Sequence, residues 1–319
     1  MKSVVSYILL VVLILILCLV ACLFGSVDIS SLTPTDKYIL YYIRVPRLLM
    51  CVVAGACLSV CGASYQAVFR NPLSDPYILG VSSGASLGAS IAIILGLDKM
   101  VVGVPIMAFI FALLTVFLIM KLSKIGNRTH TTTLILAGIS FNFLFSAIIS
   151  VIMFIDREDM HKIYFWTMGS LAGVKYSDVI VVSIFTLLGL AVLLLLAKRM
   201  NALLLGDMVA QSIGINVERT KKTILITSTL MTSAVVSYCG VIGFIGLVVP
   251  HIVRLVVGAD NRKIIPFSIF GGIIFMVLAD IVARNIASPN ELPIGTITSM
   301  VGSPFFIYLL YNAKNKLHF

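Results

Sequence analysis

The sequence is poor in charged residues. Only 11% of its 319 residues are charged, whereas 60% are hydrophobic, and the mean hydropathy is +1.12. A soluble domain is usually about a quarter charged, so this composition excludes an ordinary soluble protein and predicts an integral membrane protein. The net charge of +10 does not indicate a nucleic-acid partner, because the basic residues lie between apolar runs, where they orient a membrane protein.

Cysteine and the usual metal-ligand patterns are also scarce. The six cysteines include no C-x-x-C pair and no Cys/His cluster at metal-binding spacing, which excludes a disulfide scaffold and a recognisable metal site. Cys18 and Cys22, like Cys57 and Cys61, lie four residues apart in apolar segments, a spacing typical of helix packing. We therefore expect neither a metal nor a cofactor.

Catalytic motifs are missing as well. The sequence contains no G-x-x-x-x-G-K-[ST] loop, so any ATP-driven activity needs an ATPase on another subunit. Two overlapping matches to G-x-S-x-G, starting at Gly80 and Gly84, fall in a segment rich in glycine and serine. They lack the strand-to-helix turn and the His and acidic partners of a hydrolase. We expect no catalytic residue and no enzyme activity in this chain.

Long apolar runs dominate the sequence. A helix needs about 20 residues to cross about 30 Å of hydrocarbon. Runs of roughly this length cover residues 3–27, 48–69, 76–97, 100–120, 129–155, 179–197, 223–253, 264–283 and 292–313. The run 223–253 is too long for one helix and short for two, and its second half contains three glycines and Pro250.

The distribution of positive charge decides how this run is counted. Two passes give ten spans with both termini in the cytoplasm, and this arrangement keeps most basic residues inside. A single pass would move Arg262, Lys263, Lys314 and Lys316 outside. The sequence therefore predicts an all-α integral membrane protein, with residues 1–319 forming one ten-span transmembrane domain.

The predicted cytoplasmic segment 198–222 is amphipathic. Its apolar residues at roughly helical spacing are Leu203, Leu204, Met208 and Ile213. Gly206 and Gly214 predict breaks on either side of a short helix. A solvated connector is one interpretation, and a docking helix for a cytoplasmic partner is the one we favour, because the segment is too apolar for disorder.

Two polar features lie at span ends. The outer segment 26–47 ends in YYIRVPR, where Arg44 and Arg47 are either snorkelling anchors beside two tyrosines or a cationic rim for an acidic partner. The stretch RNPLSDP predicts a tight turn in which Asp75 caps the next helix. In that helix, glycines 80, 84 and 88 predict close packing, and serines 82, 86 and 90 either bond to a neighbouring helix or face water.

Several long motifs resemble a known family. RVPRLLMCVVAGACLSVCGASYQAVFRNPLSDPYILGVSSGAS, LLLGDMVAQSIGI, GVIGFIGLVVPHIVRLVVGADNR and ELPIGTITSMVGSPFFIYLL occur in this order and span nearly the whole chain. Together they resemble the permease subunits of type II ATP-binding-cassette importers, which carry ferric siderophores, haem or vitamin B12. The resemblance implies ten-helix subunits that pair as a homodimer or with a paralogue, an ATPase dimer on the cytoplasmic side and an extracytoplasmic solute-binding protein.

The resemblance also implies roles for particular residues. Docking of the binding protein falls to Arg44, Arg47 and Arg284, although Arg284 lies four residues after Asp280, so an intrahelical ion pair is its competing explanation. The coupling-helix pattern of the family matches Gly206, Asp207, Ala210 and Gly214. The translocation pathway would include Asn142, Ser146 and Ser150 on the fifth span, with Ser82 and Ser86. Helix–helix hydrogen bonds explain the polar stripe on the fifth span equally well.

We therefore expect a multi-pass permease of the bacterial cytoplasmic membrane that belongs to an ATP-driven importer and binds no nucleic acid. The alternative is a secondary transporter or channel that works without an ATPase. Asp280 is the one acidic residue placed clearly inside a predicted span, so the sequence contains no relay of buried acids for such a transporter. Ferric siderophore, haem and corrinoid all remain open as the solute.

Overall fold

A computed structural model describes residues 2–23, 33–100, 102–125, 128–129, 131–288 and 290–316, so the first part of the predicted outer segment, 26–32, lies outside the described residues. Thirteen α-helices make up most of what is described. They are α1 (Lys2–Leu23), α2 (Pro34–Tyr38), α3 (Val45–Phe69), α4 (Val81–Ile94), α5 (Gly103–Leu122), α6 (Thr131–Ile155), α7 (Met160–Thr167), α8 (Tyr176–Leu204), α9 (Asp207–Ser212), α10 (Val217–Cys239), α11 (Ile245–Val257), α12 (Asn261–Asn285) and α13 (Ile294–Lys316). The predicted all-α membrane fold is confirmed.

Ten of these helices coincide with the ten predicted spans. Nine of the ten are strongly apolar, and they divide by length into a long group and a short group. Five stretches are long and apolar enough to cross a membrane by themselves: Pro34–Phe69, Gly103–Leu122, Thr131–Ile155, Tyr176–Leu204 and Asn261–Asn285. Shorter apolar helices cover Tyr7–Leu23, Val81–Ile94, Ile245–Val257 and Ile294–Tyr308. Helix α10 is the tenth, and the charged residues of its first two turns, together with its many hydroxyl side chains, lower its hydropathy. The chain is therefore a multi-pass membrane protein, and the crossing of the bilayer by each of the ten stays a prediction.

The long run 223–253 does contain two helices. Helix α10 ends at Cys239, and Gly240 follows with φ of +68°. Phe244 also has a positive φ of +67°, after which α11 begins at Ile245. The division inferred from charge is confirmed, and the glycines that made the run ambiguous lie in the connection and at the start of α11.

Helix α3 lies at the centre of the bundle. It packs against α8, α10, α11 and α12, and most of its side chains are buried. Gly55 faces Gly272 of α12, and Gly62 faces Gly246 of α11, so closely that a Cβ at either α3 position would overlap the opposing backbone. Small residues therefore let three helices approach at backbone contact, which is the usual basis of packing between membrane helices.

The RNPLSDP turn forms as predicted, with Asp75 as a cap, but the long helix after it starts later than predicted. The Asp75 side chain accepts a hydrogen bond from the Tyr77 amide at 2.8 Å, so it is the expected N-cap. It caps a short 3₁₀ turn, Pro76–Leu79, because Gly80 then adopts a φ of +69° and α4 starts only at Val81. Gly80 therefore precedes α4 rather than belonging to it, but it faces α5 as Gly84 and Gly88 do, so the close packing predicted from the glycine stripe is present.

Several local elements differ from the sequence-based expectation. The segment before α3 is helical rather than a loop, because α2 runs through a π-helical stretch, Ile39–Arg44, directly into α3. Helix α7 and a pair of two-residue antiparallel strands, β1 (Lys124–Ile125) and β2 (Arg128–Thr129), were not predicted. The segment 198–222 is mostly helix, since α8 extends to Leu204 and α10 begins at Val217, leaving a connection that contains only α9.

Candidate functional site

Helix α9 is a short helix held across the end of the bundle between α8 and α10. Gly206 precedes it with φ of +111°, and Gly214 follows it with φ of +82°, conformations that favour glycine. The two predicted breaks are therefore present. The Ile215 amide donates to the Ala210 carbonyl at 3.0 Å, which closes the end of the helix before α10 begins. We call this end of the bundle the α9 end.

Asp207 and Ala210 attach α9 firmly to the bundle. The Asp207 carboxylate lies 2.7 Å from the Lys221 ammonium of α10 and 3.7 Å from the Arg70 guanidinium at the end of α3. The Lys221 side chain is only 8% exposed, so this pair is shielded from water on one side. Ala210 is completely buried. Asp207 therefore connects α9 to α10 and to the end of α3, and the coupling role of these residues stays a prediction.

The outer face of α9 is apolar and exposed. Met208 is 85% exposed, and Leu205, Val209 and Ile213 are also exposed. An exposed apolar surface of this kind is typical of a contact surface for a partner. Of the four apolar residues predicted at helical spacing, Leu203 is fully buried in the bundle and Leu204 is half-buried, so Met208 and Ile213 are the two that belong to this surface.

The three predicted docking arginines lie at the opposite end and are buried. Arg47 donates through Nε to Asp280 at 2.7 Å and through Nη1 to Glu291 at 2.6 Å. Arg284 Nε lies 3.0 Å from the other Asp280 oxygen, so the intrahelical pair that competed with a docking role is present. Arg44 donates to the carbonyls of Cys22 and Leu23 at the end of α1. We call Arg44, Arg47, Arg284, Asp280 and Glu291 the arginine cluster.

The arginine cluster connects elements that are far apart in sequence. Arg284 also donates to the Ala21 carbonyl at 3.0 Å, so the cluster ties α1, α3 and α12 together. Each arginine is at most 6% exposed, so the guanidinium groups point into the subunit in this conformation. Breaking such a buried pair costs stability, because the remaining charge has lost its partner. The docking role stays a prediction.

The predicted pathway residues separate into two groups. Ser83 of α4 donates to the Asn142 side chain of α6, so a helix–helix hydrogen bond accounts for Asn142. Ser146 and Ser150 are exposed along α6, and the Ser150 hydroxyl donates to the Ser146 carbonyl. Ser86 is 6% exposed, in the packing of α4, and Ser82 is half-buried. Of the predicted set, Ser146 and Ser150 are the exposed members.

A cavity of about 700 Å³ lies between the end of α7, the connection before α11 and the start of α13. Its wall includes the hydroxyl residues Thr296, Ser299 and Ser303, which lie on one face of α13. Phe244, strained at positive φ, packs against Gly302 of the same helix. This cavity was not predicted, although the spacing of the three hydroxyl residues at i, i+3 and i+7 is a signal visible in the sequence.

The bundle of long apolar helices, with the short helix α9 anchored at one end, defines a multi-pass α-helical membrane protein. The family model of the FecCD transport family matches residues 7–312, so the chain belongs to that family. The predicted resemblance to the permease subunits of type II ABC importers is thereby confirmed.

Individual relatives agree with this assignment. The cobalamin import system permease protein BtuC of Halobacterium salinarum is 42% identical over 276 residues, covering 86% of this chain and 74% of that protein. The hemin transport system permease protein HmuU of Yersinia pestis is 39% identical over 283 residues, covering 86% and 83%. A solved structure described as an inward-facing conformation of a metal-chelate type ABC transporter matches with a TM-score of 0.87 and 30% identity, covering 95% of this chain and 97% of that one.

Proposed function

We propose that the chain is the permease subunit of an ATP-driven importer for a ferric siderophore, haem or corrinoid. It would act in a bacterial cytoplasmic membrane with a second permease subunit, a separate ABC ATPase dimer and an extracytoplasmic binding protein. Family membership and the named cargoes of the relatives, cobalamin and hemin, support this cargo class. The solute undergoes no chemistry, so the chain needs no catalytic residue.

The observation that carries the proposal is the combination of anchoring and exposure in α9. Asp207 and Ala210 hold the helix to the bundle, whereas Met208 and Ile213 present apolar surface outwards. A helix that transmits a movement must bind the partner that moves, and it must also be attached to the part of the bundle that it displaces. Both conditions are met by α9, which fits the docking and coupling element of an ATPase subunit.

The mechanism that follows is alternating access. Closure of the ATPase pair would shift α9, and the Asp207–Lys221 and Asp207–Arg70 ion pairs would carry that shift into α10 and α3. Binding of ATP and docking of the loaded binding protein each favour one conformation of the bundle, so the two events together move the solute. Ser146, Ser150 and the cavity beside α13 are the surfaces assigned to the pathway.

A secondary transporter is disfavoured by the surroundings of Asp280. A proton or cation carrier needs an acid that can exchange its partner, and Asp280 is held by Arg47 and Arg284 with a side-chain exposure of 2%. Its charge is therefore already compensated within the chain.

The test places a charge on the exposed face of α9. The Met208→Asp variant puts a carboxylate in the centre of the proposed contact surface without touching the buried side of the helix. The control is Gln211→Asp, which adds the same charge at another exposed position of α9. The permease is coexpressed with its cognate ATPase, and the amount of ATPase that co-purifies is measured.

We expect M208D to lose most of the bound ATPase and Q211D to lose little. Burial of one apolar side chain contributes about 1.5–3 kcal/mol, so its replacement by a charge weakens binding by tenfold or more. Both variants should elute like the wild-type permease in detergent. Equal ATPase binding by all three proteins would contradict the assignment of α9 as the docking element.

A further inference from the structure

A groove of about 870 Å³ lies between α5 and α10 near the α9 end. Its walls are apolar and include Leu113 and Phe117 of α5 and Ile226 and Leu230 of α10. Phe117 is 63% exposed and Ile226 is 41% exposed, so the groove opens to the side of the bundle. Both helices coincide with predicted spans, so the open side of the groove faces the bilayer.

The end of the groove that lies towards α9 is strongly basic. Lys121 is in the last turn of α5, and Lys124 follows it in β1. Arg219 and Lys222 come from the first two turns of α10. All four side chains are exposed and line the same opening. Cations thus surround the point where the apolar groove leaves the hydrocarbon region.

The four cations are not used in the internal ion-pair network. Among the described residues, none of them lies within 4 Å of an acidic side chain, whereas the neighbouring Lys221 is paired with Asp207. Glu218 also lines the opening and takes part in an interaction of its own. Among the described residues that line it, the opening therefore carries four positive charges and one negative charge, and an anion is the ligand that complements it.

We propose that this groove binds an anionic phospholipid, with its phosphate headgroup among Lys121, Lys124, Arg219 and Lys222 and an acyl chain along Phe117. Two independent features of the groove match the two parts of such a molecule. Basic pockets between membrane helices on the cytoplasmic side are the usual sites for anionic headgroups, and each cation near an anionic surface adds to the affinity. The volume is within the range of ligand sites in proteins.

The groove places a bound lipid headgroup beside the residues that attach α9 to the bundle. Arg219 and Lys222 flank Lys221, which holds Asp207 of α9. Asn216, another residue of the groove, caps α10 by accepting a hydrogen bond from the Arg219 amide at 3.0 Å. A lipid headgroup on this turn therefore lies against the same helix start that anchors α9. This consequence does not depend on which solute the protein carries.

The proposal is tested with a fluorescent reporter at the groove wall. The single tryptophan, Trp166, is in α7 at the other end of the bundle and is replaced in W166F. The F117W substitution then places the only tryptophan in the groove. The purified full-length permease is reconstituted in phosphatidylcholine, and quenching is measured as brominated phosphatidylglycerol or brominated phosphatidylcholine is titrated in.

We expect brominated phosphatidylglycerol to quench the reporter at a several-fold lower mole fraction than brominated phosphatidylcholine. Neutralising two cations in R219Q/K222Q should abolish most of this preference, so that the two brominated lipids quench at mole fractions within about twofold of each other, because each cation contributes separately to binding the anionic headgroup. The control K198Q/R199Q removes the same charge at the exposed end of α8, away from the groove, and should leave the preference unchanged.

A second double variant controls for the possibility that R219Q/K222Q unfolds the start of α10. K121Q/K124Q removes charge from the other wall and should reduce the preference to a similar extent. Soluble glycerol phosphate at millimolar concentration should not relieve quenching, since it cannot occupy the apolar groove. The proposal is overturned if both brominated lipids quench equally, if neither lipid quenches, or if the groove pairs and the control pair have the same effect.

Discussion

Replacement of Arg47 by methionine tests whether the arginine cluster holds the subunit together. Methionine preserves the length and much of the apolar volume of the side chain while removing both ion pairs. Arg47 lies 2.7 Å from Asp280 and 2.6 Å from Glu291, and the side-chain exposures of the three residues are 8%, 2% and 33%. Of the cations in the described part of the chain, the variant leaves buried Asp280 with Arg284, at 3.0 Å.

The expected cost follows from these exposures. Removal of one partner from a fully buried pair costs about 3–5 kcal/mol when the other charge is left uncompensated. Arg284 still compensates Asp280, so we place this part at about 2–3 kcal/mol. The pair with Glu291 is a third exposed and contributes about 0–1 kcal/mol. The total of about 2–4 kcal/mol corresponds to a fall in apparent Tm on the order of 5 °C or more.

The assay is the apparent Tm of the purified permease in detergent, without binding protein or ATPase. The control is Lys37→Met, which removes an exposed cation of α2 near the same end and should leave the Tm within about 1 °C. An Arg47→Met permease as stable as the wild type, but unable to import, would refute the structural role. That result would leave docking of the binding protein as the function of Arg47.

Three further perturbations have defined outcomes. Gly62→Val should abolish folded expression, because the new side chain meets the Gly246 backbone, whereas Gly243→Ala, where nothing lies closer than 4.0 Å, should fold normally in detergent size exclusion. Asn142→Ala and Ser83→Ala should each destabilise the permease by about 0.6 kcal/mol, and the double variant should cost no more than either single one if they share one hydrogen bond. Arg44→Met should increase proteolysis near the end of α1, whose last carbonyls its guanidinium binds, and unchanged cleavage would contradict this anchoring.

Features determined by local chemistry were predictable from the sequence. The split of the run 223–253 followed from the positions of basic residues, and the breaks around α9 followed from Gly206 and Gly214. The close packing of α4 followed from its glycines, two of which face α5. The breaks around α9 and the packing of α4 needed only the residues of each segment, whereas the split needed the basic residues between the apolar runs and the requirement that those runs span the membrane.

Features that depend on distant partners were not predictable in the same way. Arg47 meets Asp280 across 233 residues of sequence, so no local pattern could show that the arginine is buried and paired. Helix α7 is short and contains His161 and Lys162 among aromatic residues, so its apolar periodicity is weak. The π-helical stretch before α3 changes the register of a helix without changing its composition, which leaves no signal in hydropathy.

The central claim is that a separate ATPase drives import through α9, and solute uptake into proteoliposomes tests it most directly. Vesicles contain the permease with its cognate ATPase, the loaded binding protein is supplied outside, and labelled ferric siderophore, haem or cobalamin is offered in turn. We predict uptake of one of these solutes only with ATP and the ATPase present, and its loss in M208D but not in Q211D. Uptake driven by an ion gradient in vesicles that contain the permease alone would contradict the account.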